Sequence, residues 1–141
     1  MSNEAATRQD VPVSGPPSLL SEVFSKGSRW INELGSVMNI ASVDQSGNFS
    51  GTYGSSVGKP EPPPPFPLNG RYEVGGNTLG WAVSYYGGEF HSTAAWSGQI
   101  QQTDEGPVIY TTWVLTRSTE AAANWNSTNV GFDKFKLLRV L

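Results

Sequence analysis

From residue 29 onward the chain repeats one pattern: a short run of alternating apolar and polar side chains, then a cluster of Gly, Asn, Asp, Ser or Pro. Successive side chains on a strand point to opposite faces, so such runs predict half-buried strands. Eight are predicted, over residues 29–32, 37–43, 48–55, 67–74, 79–86, 93–101, 108–117 and 128–140. The links "DQSGN" (44–48), "VGGN" (74–77), "YGGE" (86–89) and "TDEGP" (103–107) carry the residues that turns require. Links this short join antiparallel neighbours, because parallel strands need a crossover of about a dozen residues or more. Eight strands in such a meander close into a barrel, which removes both sheet edges and leaves room inside for one small ligand. The expected fold class is all-β: an eight-stranded antiparallel up-and-down β-barrel over residues 28–141, with an N-terminal extension over residues 1–27.

The extension is polar and Pro-rich until "SLLSEVF" (18–24), where Ser18 is placed to cap a short helix and Leu19, Leu20, Val23 and Phe24 form an apolar cluster suited to docking. Two longer links interrupt the meander. "KPEPPPPF" (59–66) is a stiff, extended loop with few backbone donors, and "STEAAANWN" (118–126) has the character of a helical turn. Either is long enough to cover a barrel mouth.

Residues two apart on a strand share a face. That rule groups Ser92, Ala94 and Trp96; Tyr53 and Ser55; Trp81, Val83 and Tyr85; and Thr111, Trp113 and Leu115. The opposite face holds Val108, Tyr110, Thr112 and Val114 on one strand and Val37, Asn39 and Ala41 on another. A sealed interior favours aliphatics, since a buried hydroxyl without a partner costs about 1–3 kcal/mol. Indoles, phenols and hydroxyls facing one another fit a pocket with apolar walls and a few convergent polar groups. From pattern alone they fit better still as ordinary core aromatics whose polar atoms bond to backbone, since core Tyr and Trp usually find partners.

Composition narrows the function. The 141 residues include 37% apolar and 15% charged positions, and the net charge is −3 with no basic cluster. Nucleic-acid binding needs concentrated Lys and Arg, and a membrane span needs about 18 consecutive apolar residues; neither occurs. With no Cys and one His, thiolate chemistry and a transition-metal site are not expected. His91 neighbours Ser92 and so points to the opposite face, which prevents the two from forming a nucleophile and base. "GSSVGKP" lacks a Gly and a Ser or Thr that a phosphate loop requires. An enzyme is not expected, nor a cofactor.

Seven motifs carry a resemblance: "WINELGS" (30–36), "GTYGSSVG" (51–58), "LNGRY" (68–72), "LGWAVSY" (79–85), "HSTAAWSGQ" (91–99), "TTWVLT" (111–116) and "WNSTNVGFDKF" (125–135). In order and spacing the chain resembles the avidin and streptavidin family of biotin-binding proteins over about residues 28–137. Streptavidin is itself a standard example of the eight-stranded barrel, so the two fold readings share a source. The resemblance implies non-catalytic, high-affinity binding of biotin in the barrel interior. It implies that Asn32, Ser36 and Tyr53 donate to the ureido oxygen and that Ser55 and Asp133 accept from the ureido N–H groups. Leu34, Val57, Tyr85, Ala94, Trp96, Trp113 and Leu115 would line the site. Ser92 and the backbone at Gly58 and Lys59 would hold the valerate carboxylate, and Trp125 would complete a neighbouring subunit's site. A urea presents one acceptor and two donors, so converging hydroxyls and an amide suit its oxygen, while a hydroxyl and a carboxylate suit its N–H groups.

Two positions depart from the family pattern: Ala94 replaces a Thr that contacts the biotin sulfur, and Tyr85 replaces a wall Trp. The lost hydroxyl contact costs roughly 0.5–1.5 kcal/mol. The alternative is a barrel with weakened biotin binding that serves another small ligand or acts as a structural oligomer. A homo-oligomer is expected, a tetramer as in the family or else a dimer, because Trp125 must reach a neighbour and the β-rich outer face needs covering. The prolines and charges of residues 1–28 break up any leader-like apolar segment, so the expectation is a soluble protein, kept inside the cell or already freed of a leader. Acceptor motifs for N-glycosylation occur at Asn48 and Asn126 and matter only on a secretory route.

Overall fold

Each predicted run pairs with its successor, and the last returns to the first. The computed structural model describes residues 18–55, 64–86 and 91–138. The strands are β1 (Arg29–Asn32), β2 (Ser36–Val43), β3 (Asn48–Ser55), β4 (Phe66–Tyr72), β5 (Thr78–Tyr85), β6 (Ser92–Thr103), β7 (Gly106–Arg117) and β8 (Thr128–Leu137). They form a closed barrel in sequence order, every pair antiparallel, sealed by β1 against β8. Closure leaves no sheet edge open to another chain.

The turns follow from their residues. Asp44 accepts at Oδ1 from the N–H groups of Ser46 (2.9 Å) and Asn48 (3.0 Å), and Gly47 takes a φ of +89° that a side chain would resist. Most of "KPEPPPPF" and "YGGE" lies outside the described residues, as does residue 140 of the last predicted strand. The run at 118–126 contains a 3-10 helix, Ala121–Asn126.

Ser18 caps a helix, α1 (Leu19–Val23), by accepting from Ser21 N–H at 3.3 Å, and Asn77 Oδ1 accepts from Leu19 N–H at 2.9 Å. Leu20 and Phe24 are fully buried at the barrel end where β1 begins and β4 ends. The Phe24 ring meets Phe49 edge-on at 4.7 Å and lies 5.9 Å from Trp30 and 6.2 Å from Tyr72. This end is filled. Above it lies a layer of larger rings: Trp81 stacks on Trp96 at 5.5 Å, and Phe135 meets Trp81 edge-on at 5.5 Å. The inner positions then give way to Asn32, Ser36, Tyr53, Ala94 and Asp133 at the opposite end.

Strict alternation fails in two places. A register shift between Ile40 and Ser42 leaves Ala41 and Ser42 both exposed. Val108, grouped by sequence with the outer face, is fully buried beside Ile109 within a single chain, so it does not belong to the exposed surface. Tyr110, Val114, Val130 and Phe132 do remain exposed on β7 and β8.

Candidate functional site

The site grows from one side chain at the end of β1. Asn32 Oδ1 accepts from the N–H groups of Leu34 (3.0 Å) and Ser36 (2.8 Å), so the amide oxygen shapes the β1–β2 turn and Nδ2 is left for the barrel interior. There Nδ2 donates to Tyr53 Oη at 3.4 Å and lies near the Asp133 carboxylate, whose charged form it favours. The Ser36 hydroxyl lies beside the Tyr53 phenol and favours its ionised form. On the far side, Trp96 Nε1 donates to Asp133 Oδ2 at 3.0 Å. Ser36, Tyr53, Asn32, Asp133 and Trp96 thus form one polar network drawn from β1, β2, β3, β6 and β8, tied by the Asn32–Tyr53 and Trp96–Asp133 hydrogen bonds.

The network edges a cavity of about 160 Å³ lined by Asn32, Leu34, Ser36, Tyr53, Tyr85, Ala94, Trp96, Trp113, Leu115 and Asp133. All ten are among the candidates drawn from sequence. Leu34 stands at the mouth, 73% exposed, while Ala94 is buried at the back. Tyr85 is half-buried and meets the Phe66 ring edge-on at 5.1 Å, so the smaller ring has its own brace. The register sets Ser55 opposite Ser36; its side chain, like Val57, Gly58 and Lys59, lies outside the described residues. Ser92 begins β6 opposite Tyr85 but does not line the cavity. Trp125 sits on the 3-10 helix, 84% exposed, away from the cavity of its own chain.

Other residues support the site from positions that alternation alone does not single out. Thr111 Oγ1 donates to the Asp133 carbonyl at 3.0 Å and steadies that stretch of β8. Gly131 faces Trp113 across the β7–β8 pair, and a Cβ there would collide with the indole, so the glycine is what lets Trp113 lie flat on the wall. Trp81 backs Trp96, with no partner for its buried indole N–H among the described residues. A turn-borne carboxylate, Glu33, accepts from Lys134 N–H at 2.9 Å.

Burial governs the electrostatics. It raises the Asp133 carboxyl above the ordinary range; the Trp96 and Asn32 hydrogen bonds oppose this, and the Glu33 carboxylate reinforces it. Burial pushes the Tyr53 phenol up to about 12, against the Ser36 and Asn32 hydrogen bonds, and the Tyr85 phenol moves the same way for the same first cause. Both phenols therefore stay protonated and able to donate through the neutral range. The unfolded chain ionises these groups near 10, so the stability they contribute is complete below pH 10 and is lost as pH climbs toward about 12. In an ultraviolet titration, Tyr53 and Tyr85 are expected to ionise late and together with alkaline unfolding. Five phenols titrating independently near 10 would contradict the assignment.

His91 is exposed, and among the described residues no group of three or more His, Asp or Glu side chains is placed to hold a metal ion. No helix among the described residues is long and apolar enough to cross a membrane.

Comparison with known proteins agrees with this geometry. Residues 22–138 match the Avidin family. Avidin-related protein 4/5 of Gallus gallus is 33% identical over 127 residues, covering 86% of this chain and 83% of its own. The crystal structure of Xenavidin superposes with a TM-score of 0.66 at 34% identity, covering 78% of this chain and 93% of that one. The crystal structure of a rhizavidin–biotin complex gives a TM-score of 0.66 at 28% identity, covering 83% and 95%. Avidin-family proteins bind their ligand without catalysing a reaction. By its barrel, its inward-facing motifs and this similarity along nearly its whole described length, the chain belongs to the avidin family.

Proposed function

We propose that this protein binds biotin with high affinity in the cavity at the open end of the barrel. The observation that carries the reading is the convergence of Ser36, Tyr53 and Asn32 donors and the Asp133 acceptor on one small cavity walled by Trp96 and Trp113. A urea group entering there exchanges bonds the network already makes for bonds of the same kind, so little polar surface is left unpaired. Its oxygen takes the three donors, and its N–H groups meet Asp133 and Ser55. Two indoles then cover the apolar ring, with Tyr85 and Leu115 beside the tail. Val57, Gly58, Lys59 and Ser92 belong to the same proposal, as contacts to the tail and its carboxylate. The bound rhizavidin structure supports the choice of ligand.

The assembly is a homo-oligomer, with a tetramer as the expected form. Trp125 is a large indole with 84% of its surface exposed on a 3-10 helix, and Phe132 is 75% exposed on the outer sheet face beside Val114 and Val130. Apolar surface of that extent on one side of a barrel calls for a covering partner, and a second copy brings its own Trp125 toward the site.

Calorimetric titration with biotin, with solution mass measured alongside, tests both parts. The expected result is one biotin per chain with a Kd on the order of 1 nM or tighter, on a species of four chains. Absence of heat and of any thermal shift would leave the alternative of a different small ligand, favoured by the extra space at Ala94.

A further inference from the structure

We propose that Glu33 is a positioning residue for the cavity: it latches the β1–β2 turn onto β8 beside Asp133, and its charge makes ligand retention sensitive to acid. The ligand arm of this proposal rests on the biotin reading above.

The latch follows from where the barrel seam ends. β1 is only four residues long, and its ladder with β8 runs from Trp30 opposite Leu137 to Asn32 opposite Phe135. The next pair in register would be Glu33 with Lys134. The chain cannot continue the ladder there, because Asn32 Oδ1 turns it back through the N–H groups of Leu34 and Ser36. Lys134 N–H therefore loses its backbone partner, and Glu33 Oε2 takes its place at 2.9 Å across 101 residues of sequence. Among the described residues this is the bond that ties the turn to β8 beyond the last ladder pair. Its two ends are the sequence neighbours of Asn32 and Asp133, the residues whose separation sets the polar end of the cavity. A charge-assisted hydrogen bond to a backbone donor is the stronger kind, so the latch holds that separation firmly.

Held on the Lys134 N–H, the Glu33 carboxylate sits beside the next residue, Asp133, where its negative charge acts with burial to favour the protonated form. The other groups facing Asp133 carry no charge at neutral pH: Asn32 from β1, Tyr53 from β3, Tyr85 from β5 and Trp96 from β6. Lys134 and Lys136 are exposed on the outer face of β8, where both act on Glu105 and Lys136 pairs with it directly. No cation among these offsets the carboxylate pair. As pH falls, Asp133 takes up a proton earlier than an isolated Asp would, and an acceptor for the ligand N–H is lost.

Two substitutions separate the parts. Glu33→Gln keeps an acceptor for Lys134 N–H and removes the charge; Glu33→Ala removes both. Biotin dissociation is followed from neutral to mildly acidic pH. Glu33→Ala is expected to release biotin roughly tenfold faster at neutral pH, the effect of one such hydrogen bond, and Glu33→Gln to recover most of that loss while moving the acid-induced release to lower pH. Superimposable profiles for Glu33→Gln and the parent would overturn the charge coupling, and unchanged release from Glu33→Ala would overturn the latch. Two readings on the ligand-free protein keep the proposal testable if the parent binds no biotin. Hydrogen exchange at the Lys134 amide is expected to accelerate in Glu33→Ala only, and the Trp96 indole resonance, reporting Asp133, to titrate at lower pH in Glu33→Gln. If both match the parent, the proposal fails irrespective of the ligand.

Discussion

Replacing Asn32 with Ala is expected to weaken biotin binding by two to three orders of magnitude, more than removal of a single donor explains. The ligand loses one hydrogen bond to its polarised ureido oxygen, worth about 1.5–3 kcal/mol. The turn loses more. Both the Leu34 and Ser36 N–H groups are held by Asn32 Oδ1, so without it the backbone that carries Ser36 is free to relax, and the Asp133 carboxylate loses a donor at the same time. Together these come to about 3–4 kcal/mol, and each 1.4 kcal/mol is tenfold in affinity. Asn32→Asp separates the contributions, because its oxygens still shape the turn while it brings a second negative charge beside Asp133 and no donor. That variant is expected to bind as poorly as Asn32→Ala and to melt below the parent at neutral pH, recovering as the pH falls and the buried carboxylates take up a proton. Dissociation rates for both, with melting curves, check the claim; Asn32→Ala within threefold of the parent would show that the amide is not part of the binding cage.

The second large effect lies at the other end of the barrel and concerns stability. Phe24→Ala empties a site where one ring touches Phe49, Trp30 and Tyr72 in a fully buried cluster. Truncating a buried Phe costs about 3–5 kcal/mol, which in a domain of this size lowers Tm by roughly 10–20 °C. Below the transition, biotin affinity is expected to stay close to that of the parent, because Phe24 and the cavity sit at opposite ends of the strands. A large fall in Tm with unchanged affinity places α1 in the core; a change of only a degree or two would show that the helix merely rests on the barrel.

The strands were legible because a half-buried strand announces itself by alternation, and every predicted run overlaps an observed one to within a few residues. Alternation also carried the cavity, by putting Ala94 with Trp96 and Trp113 with Leu115. What remained hidden has physical causes. Glu33 lies in a turn, where period two assigns no face, and its partner is a backbone N–H one hundred and one residues away, which leaves no trace in composition. Thr111 and Gly131 act through a backbone carbonyl and through an absent side chain, and neither has a local signature. Alternation groups Val108 with Tyr110 and Thr112 on the outer face, but Val108 is fully buried beside the buried Ile109 near the start of β7, where period two does not hold. The apolar cluster of "SLLSEVF" signalled docking, but not that Leu20 and Phe24 would supply the floor of the barrel. The chemical roles of Asn32, Ser36, Tyr53 and Asp133 came from motif resemblance, since no rule of spacing distinguishes a ureido cage from an ordinary polar cluster.

A crystal structure of the protein grown with biotin tests the central claim most directly. The account predicts the ureido oxygen within hydrogen-bond distance, about 2.7–3.2 Å, of Asn32 Nδ2, Ser36 Oγ and Tyr53 Oη, with Asp133 accepting from a ureido N–H and the ring between Trp96 and Trp113. Biotin absent from this cavity at saturating concentration, or bound there with its ureido group turned away from Asn32 and Asp133, would contradict it.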